Sequence, residues 1–147
     1  MLEFNYSERF KSLIQSLDWR IQLPPSWANF FDERGDYYSL MGDERQNGRT
    51  RVRTQGVMIY EQPLPNIPRG LEPVGIYSRD FSRRACGFLT PYQLYPLESV
   101  RLILPTLWMR LQICRSRRLG PSCYEIGGEL IDQSPPSESA FNRPLRI

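Results

Sequence analysis

The N-terminal part of the chain has the hydrophobic spacing of an amphipathic helix. Its apolar residues recur at intervals of three and four, which places them on one helical face: Phe10, Leu13, Ile14 and Leu17. Ser7 precedes them with a hydroxyl suited to the N-cap, and Glu8 complements the positive end of the helix dipole. Pro24 and Pro25 prevent any continuation, because neither can donate a backbone hydrogen bond. We therefore predict a helix over 7–17 that docks on the rest of the chain.

The stretch from Ser26 to Gly48 is rich in aromatic residues but has no regular period. Gly35 and Gly42 interrupt it, as glycines do in turns and loops. Its large apolar side chains favour burial: Trp27, Phe30, Phe31, Tyr37 and Tyr38. We predict an irregular connector that packs against the remainder of the molecule.

From Arg49 onward the hydrophobic period changes to the alternation of β-strands. Val100, Leu102 and Leu104 alternate with Arg101 and Ile103, and proline or glycine turn formers separate the apolar runs. The predicted strands are Thr50–Tyr60, Leu71–Arg79, Cys86–Thr90, Ser99–Leu104, Leu107–Cys114 and Cys123–Ile131. Short strands at regular spacing, with no helix between them, indicate an all-β antiparallel barrel or sandwich.

The length of 147 residues suits one domain with appended segments. We predict a helix and aromatic connector over 1–42, a β-domain over 43–131, and a flexible Pro/Ser-rich tail over 132–147. No stretch has the length and apolarity of a membrane span, and the N-terminus lacks the basic and apolar regions of a secretory signal. We therefore expect no membrane insertion.

The composition argues against most catalytic chemistry. The chain has no histidine, which removes His-assisted nucleophiles and most zinc sites. Its three cysteines, Cys86, Cys114 and Cys123, fit no C-x-x-C pattern and leave an odd thiol, so we expect reduced thiols in the cytoplasm. These features favour a non-catalytic protein with no metal site and no cofactor.

The charges are unevenly distributed along the chain. Residues 1–44 carry four cations and eight acids, whereas 45–131 carry thirteen cations and six acids. All the cations except Lys11 are arginines, whose planar fork matches phosphate oxygens and the guanine edge. The β-domain is therefore expected to meet an anionic partner.

Two segments carry candidate binding chemistry. In the first, over 43–53, Arg45 and Arg49 lie four residues apart just before the first predicted strand, and Arg49 and Arg53 have the same spacing. In the second, over 79–90, Asp80 and Ser82 occupy a polar turn between apolar strands. A carboxylate can accept both N–H groups of the guanine Watson–Crick edge, and arginine suits guanine O6 and N7 or a phosphate. Solvation of the arginines, and an Asx-type turn at Asp80, remain the alternatives.

The ordered combination of these segments resembles the PilZ family, the bacterial receptors for cyclic di-GMP. The family signature is R-x-x-x-R, followed some tens of residues later by D/N-x-S-x-x-G. The resemblance covers about 43–131, and three later stretches also look like PilZ strands: 87–90, 97–102 and 115–127. It implies a six-stranded antiparallel β-barrel, a role in second-messenger signalling, and a downstream protein partner.

The resemblance also implies roles for individual residues. Arg45 and Arg49 take the arginine positions, and Asp80 and Ser82 take the guanine-binding turn. Arg49 and Arg53 fit the spacing equally well, but the family's second arginine lies at the strand entrance, which favours Arg49. Additional contacts are expected from Arg51, Arg53 and Arg83.

The sequence departs from the family signature at one position. Ala85 stands where the motif has glycine, a residue favoured where the backbone has positive φ or a ligand approaches closely. This departure keeps a second hypothesis open, in which the barrel is a protein-interaction adaptor without nucleotide binding. A barrel that binds single-stranded nucleic acid is a weaker third hypothesis, because no strand face carries an evident aromatic stripe.

Overall fold

A closed barrel of six antiparallel strands forms the centre of the molecule in the computed structural model, which describes residues 4–32, 35–37 and 49–144. Strands pair in the order β4-β3-β6-β7-β8-β5, and pairing of β5 with β4 closes the barrel. Two short strands, β1 and β2, precede these six in the chain, and β2 pairs with β4. The strands are β1 Gly35–Tyr37, β2 Arg49–Arg51, β3 Gln55–Gln62, β4 Val74–Phe81, β5 Ala85–Thr90, β6 Ser99–Ile103, β7 Trp108–Gly120 and β8 Cys123–Ser134. The prediction of a six-stranded antiparallel barrel is confirmed.

The first predicted strand, Thr50–Tyr60, is divided into β2 and β3. Ser78 of β4 causes the interruption, because its hydroxyl donates to the carbonyl of Val52 and accepts from the amide of Thr54 at 3.0 Å. The Ser78 amide also donates to the Thr54 carbonyl at 2.9 Å. The Ser78 side chain thus takes the place of some backbone hydrogen bonds at the break between β2 and β3.

The barrel interior is filled by alternating side chains from all six strands. Val100 and Leu102 are fully buried there, as their alternation predicted. Ile103 is also fully buried, although it faces outward, because the helix covers that side of the sheet. Alternating apolar residues therefore identify the inner face of the barrel. Residues on the outer face are also buried where another element packs against it.

Helix α1 spans Tyr6–Ser16 and packs on β3 and β6. Asn5, not the expected Ser7, is the N-cap: its side-chain oxygen accepts from the Glu8 amide at 3.1 Å. The Tyr6 hydroxyl donates to the carbonyls of Leu104 at 2.6 Å and Leu107 at 3.0 Å. The helix is thus docked on the barrel by hydrogen bonds as well as by its apolar face. Within the described residues, no helix is both long enough and apolar enough to span a membrane.

The connector packs on the outer face of β4, β5 and β8. It forms two short 3-10 turns, Pro25–Trp27 and Phe30–Asp32, and buries Phe30 against Leu89 and Cys123. Trp19 lies directly over Gly75, where an added Cβ would come within 2.6 Å of the indole. The expectation that this aromatic segment packs on the barrel holds for its described part.

The C-terminal segment differs from the flexible tail expected over 132–147. β8 continues through Ser134, and a 3-10 turn follows at Glu138–Phe141. Arg101 of β6 donates to the Ala140 carbonyl at 2.8 Å and pairs with Glu61 at 2.6 Å. This arginine therefore attaches the C-terminal segment to the barrel wall.

Candidate functional site

A β-bulge in β4 determines on which face of the barrel Asp80 lies. Ser78 pairs with Phe88 and Asp80 pairs with Gly87, so Arg79 is an extra residue on β4. The register therefore returns Asp80 to the outer face of the barrel, while Phe81 packs against the interior cluster.

Asp80 belongs to a row of paired residues that crosses the outer face. Arg51 pairs with Asp80, Asp80 with Gly87, Gly87 with Gly127, and Gly127 with Arg115. Residues that pair directly across two strands lie on the same face of the sheet. This set, which we call the Asp80 row, therefore forms one strip. An arginine lies at each end of the strip. Two of its three inner residues are glycines.

The glycines of the Asp80 row make room for their neighbours. An added Cβ at Gly87 would come within 2.5 Å of Asp80 Oδ1, and one at Gly127 within 2.6 Å of Arg115 Nε. Both side chains therefore lie flat over the strand beside them. Asp80 is 1% exposed, so its carboxylate is almost fully covered.

Arg79 links the Asp80 row to a second acid. Its Nη1 lies 3.4 Å from Asp80 Oδ2 and 3.5 Å from Glu125 Oε2. Arg117 approaches the other oxygen of Glu125 at 3.1 Å. Glu125 is thus a half-buried acid between two arginines, whereas Glu129 on the same strand is exposed. The cross-strand register that unites these groups was not evident from the sequence.

Arg79 also lines a polar cavity of about 210 Å³ beneath the connector, which we call the connector cavity. Trp27, Phe30 and Arg53 form other parts of its wall. The Arg53 guanidinium lies 4.4 Å from the centre of the Phe30 ring and donates to the Phe30 carbonyl at 3.1 Å. Two arginines and two aromatic residues thus line this space, and one of them, Arg79, also contacts Asp80. The space therefore offers charge and ring contacts to an anionic ligand with planar groups.

The arginines expected from the motif are only partly within the described residues. Arg45 lies outside them. The backbone of Arg49 opens β2 and pairs with Tyr37, but its side chain is not described. Arg51 pairs directly with Asp80, and Arg53 reaches the connector cavity. The register therefore brings the arginine-bearing strand and Asp80 together at one place.

The remaining motif residues form the hairpin between β4 and β5. The Ser82 amide donates to the Ala85 carbonyl at 2.9 Å, and Arg83 is exposed. Ser82 and Ala85 both border an apolar cavity at the end of the barrel. Ser82 thus borders this cavity, whereas Asp80 lies on the outer face of the barrel and does not line it.

Ala85 does not have the backbone strain that its departure from the motif suggested. Among the described residues, Leu97 is the one non-glycine with positive φ, at 79°. Ala85 begins β5 as an ordinary strand residue. The position that requires glycine is instead Gly87, which gives the Asp80 carboxylate its space.

Sequence reasoning missed three features of this site: the bulged Arg79, the glycine at position 87, and the aromatic wall at Trp27 and Phe30. The one signal of this arrangement in the sequence was the presence of glycines inside predicted strands. Such glycines often mark a place where another group approaches the backbone closely. The contribution of the connector depends on tertiary contacts that have no local pattern.

The acids and thiols of the described ranges are dispersed, and the Cys123 thiol is buried. No three carboxylate or thiol groups gather there as a metal-ligand set would. Burial raises the pKa of the Cys123 thiol to about 11, so this group stays protonated at neutral pH. The described side chains of the site offer charge, hydrogen bonds and ring contacts to a ligand.

The comparisons with known proteins found no match to a family model, a curated protein or a solved structure.

Proposed function

We propose that this protein is a non-catalytic receptor of the PilZ type that binds cyclic di-GMP. The observation that carries the proposal is the pairing of Arg51 with Asp80, which brings the arginine-bearing strand to the predicted guanine-binding acid. Such a receptor would act in the bacterial cytoplasm and signal to a downstream protein partner.

The chemistry of the site suits both parts of this ligand. Cyclic di-GMP carries two anionic phosphodiesters and two guanines. Guanidinium groups at Arg53 and Arg79 line the connector cavity and provide paired donors for phosphate oxygens or for guanine O6 and N7. The Asp80 carboxylate is an acceptor for guanine N1–H and N2–H.

Binding at Asp80 requires an exchange of partners. Asp80 is 1% exposed, and Arg79 lies 3.4 Å from it, so guanine must displace covering groups before it reaches the carboxylate. Arg79 would then be released to pair with the ligand. A ligand shifts an equilibrium only if it binds one state more tightly than the other. The free energy gained from ligand contacts at Arg79 must therefore exceed the free energy lost when the ion pair between Arg79 and Asp80 breaks.

Isothermal titration calorimetry with cyclic di-GMP tests the proposal. We expect saturable binding to the wild-type protein, and at least about a tenfold loss of affinity in Arg51→Ala and Arg49→Ala, the change that about 1.4 kcal/mol produces. Arg110→Ala is the matched control, because Arg110 is an exposed arginine paired with Asp132 away from the Asp80 row. Cyclic di-AMP has the same phosphates without guanine and should bind much more weakly.

The adaptor hypothesis, in which the barrel binds a protein and no nucleotide, is favoured by one observation: the near-complete burial of Asp80. It predicts no binding heat from the folded wild-type protein. If binding appears only in Ala85→Gly, the natural protein is an adaptor or a very weak receptor. If the wild type binds cyclic di-GMP and cyclic di-AMP equally, the guanine role of Asp80 is wrong.

A further inference from the structure

We propose that the end of the barrel holds a second ligand site, which takes a single-chain amphiphile with an anionic head, such as a free fatty acid. A cavity of about 480 Å³ lies where β3, β5 and β7 begin and where β4, β6 and β8 end. This volume falls within the range of about 300–1,000 Å³ typical of ligand sites. We call it the barrel-end cavity.

The wall of the barrel-end cavity is an extension of the barrel core. Phe81, Leu107, Met109 and Leu130 line it, and all four also pack against the interior cluster. Among the described residues, none with a charged side chain lines the cavity. Transfer of an acyl chain from water into this space would bury apolar surface on both sides, which is the main favourable term for such a ligand.

The rim of the cavity is basic on the side of the β4–β5 hairpin. Ser82 and Ala85 line the cavity, and the two residues between them, Arg83 and Arg84, are exposed arginines. One exposed acid, Glu129, pairs with Ala85. The cations therefore outnumber the acid at this edge, which favours a carboxylate head over a cationic one.

The neighbouring acid at position 132 does not reverse this preference. Asp132 precedes the lining residue Gln133, and Arg110 forms a bidentate ion pair with its carboxylate. The hydrogen bonds from Arg110 lower the pKa of Asp132 below its usual range, so the acid stays ionised and paired. The volume suits one chain and not the two chains of a phospholipid, so we assign a free single-chain carboxylate as the occupant.

Titration with decanoate, below its micelle concentration, tests this proposal on the full chain. We expect saturable one-to-one binding, with weaker binding of decyltrimethylammonium, which has the same chain and the opposite charge. Leu130→Trp fills the cavity and should lower decanoate affinity about tenfold or more, equivalent to about 1.4 kcal/mol. Leu71→Trp is the control, because Leu71 is 44% exposed and precedes β4 at the opposite end of the barrel.

A double variant, Arg83→Gln with Arg84→Gln, tests the head group without changing the core. It should weaken decanoate binding several-fold and leave decanol binding unchanged. If the circular dichroism spectrum shows that Leu130→Trp is unfolded, decanoate binding by the double variant tests the proposal instead. The proposal is overturned if folded wild-type protein shows no saturable decanoate binding. It is also overturned if folded Leu130→Trp or the double variant binds decanoate as tightly as the wild type does. Binding of anionic phospholipid vesicles without binding of decanoate would overturn it as well.

Discussion

Gly87 shows how one missing side chain can make room for a buried acid. In a strand, glycine costs conformational entropy and contributes no packing, so its presence at the centre of β5 needs a reason. Here the space above it holds the Asp80 carboxylate, with Oδ1 only 2.5 Å from the position of an added Cβ. The acid therefore lies flat along the sheet instead of projecting into solvent.

Gly87→Ala should destabilise the fold by about 1–2 kcal/mol, because the new methyl group displaces a buried carboxylate. Urea unfolding gives the free energy directly. Gly120→Ala is the matched control, since no atom lies within 4 Å of a Cβ added there. Equal unfolding free energies for the two variants would show that Asp80 moves without cost.

Tyr6 should make the protein less stable at alkaline pH. Burial raises its pKa from 10.0 to about 12, so above pH 10 the unfolded chain loses this proton more readily than the native state. The free energy of unfolding therefore falls as pH rises from 10 towards 12. Tyr6→Phe should be about 1 kcal/mol less stable at pH 8, because it loses a buried hydrogen bond, and should show a smaller alkaline decline.

Urea unfolding at pH 8 and pH 11 measures this effect. Tyr92→Phe is the control, because Tyr92 is 44% exposed. Tyr60, whose pKa burial also raises to about 12, contributes the same decline to every variant. An identical pH dependence in wild type and Tyr6→Phe would exclude Tyr6 as a source of the decline.

At the scale of the element, periodicity predicted which segments form a helix or a strand but not where each one stops. The α1 face was visible because four apolar residues repeat locally. The division of β2 from β3 was not, because the Ser78 hydroxyl that causes it lies more than twenty residues away in the chain. The same holds for β7, whose polar second half, through Gly120, pairs with β8 although it lacks an apolar stripe.

Substitution of Arg101 tests how the C-terminal segment is attached to the barrel. Its side chain and that of Glu61 are both nearly buried, so Arg101→Met leaves an uncompensated acid. We expect a loss of about 3 kcal/mol in the free energy of unfolding. The double variant Arg101→Met with Glu61→Leu should recover much of this loss, because it removes the stranded charge.

Arg110→Met provides the comparison for this experiment. Arg110 and Asp132 form an ion pair that is nearly half exposed on each side, and such pairs contribute about 0–1 kcal/mol. Denaturant midpoints of the three variants separate the two cases. A similar loss in Arg101→Met and Arg110→Met would show that burial of the Arg101 pair has no energetic consequence.

At the scale of the whole molecule, the sequence predicted the components of the candidate site but not their arrangement. The order of the arginine segment and the Asp80 turn was visible in the chain, whereas closure of the barrel decides that Arg51 pairs with Asp80. Arg53 and Arg79 join the connector at one cavity only through tertiary packing. Such convergence leaves no periodic signal in a single sequence.

Ligand binding should stabilise the entire fold. Cyclic di-GMP at about a hundredfold excess over its dissociation constant is expected to add about 2.7 kcal/mol to the free energy of unfolding. Decanoate at the barrel-end cavity should add its own increment, because no residue lines both this cavity and the connector cavity. Thermal unfolding with each ligand alone and with both measures this, and a combined effect no larger than either alone would show that the two ligands compete.

The bulged residue of β4 has a consequence for how this protein can vary in evolution. Because Arg79 is supernumerary in the pairing of β4 with β5, a chain one residue shorter at this point would keep Ser78 inside and Asp80 outside. Deletion of Arg79 would therefore remove the cation between Asp80 and Glu125 while preserving the barrel. A relative with a single-residue gap here would retain the architecture without this cation.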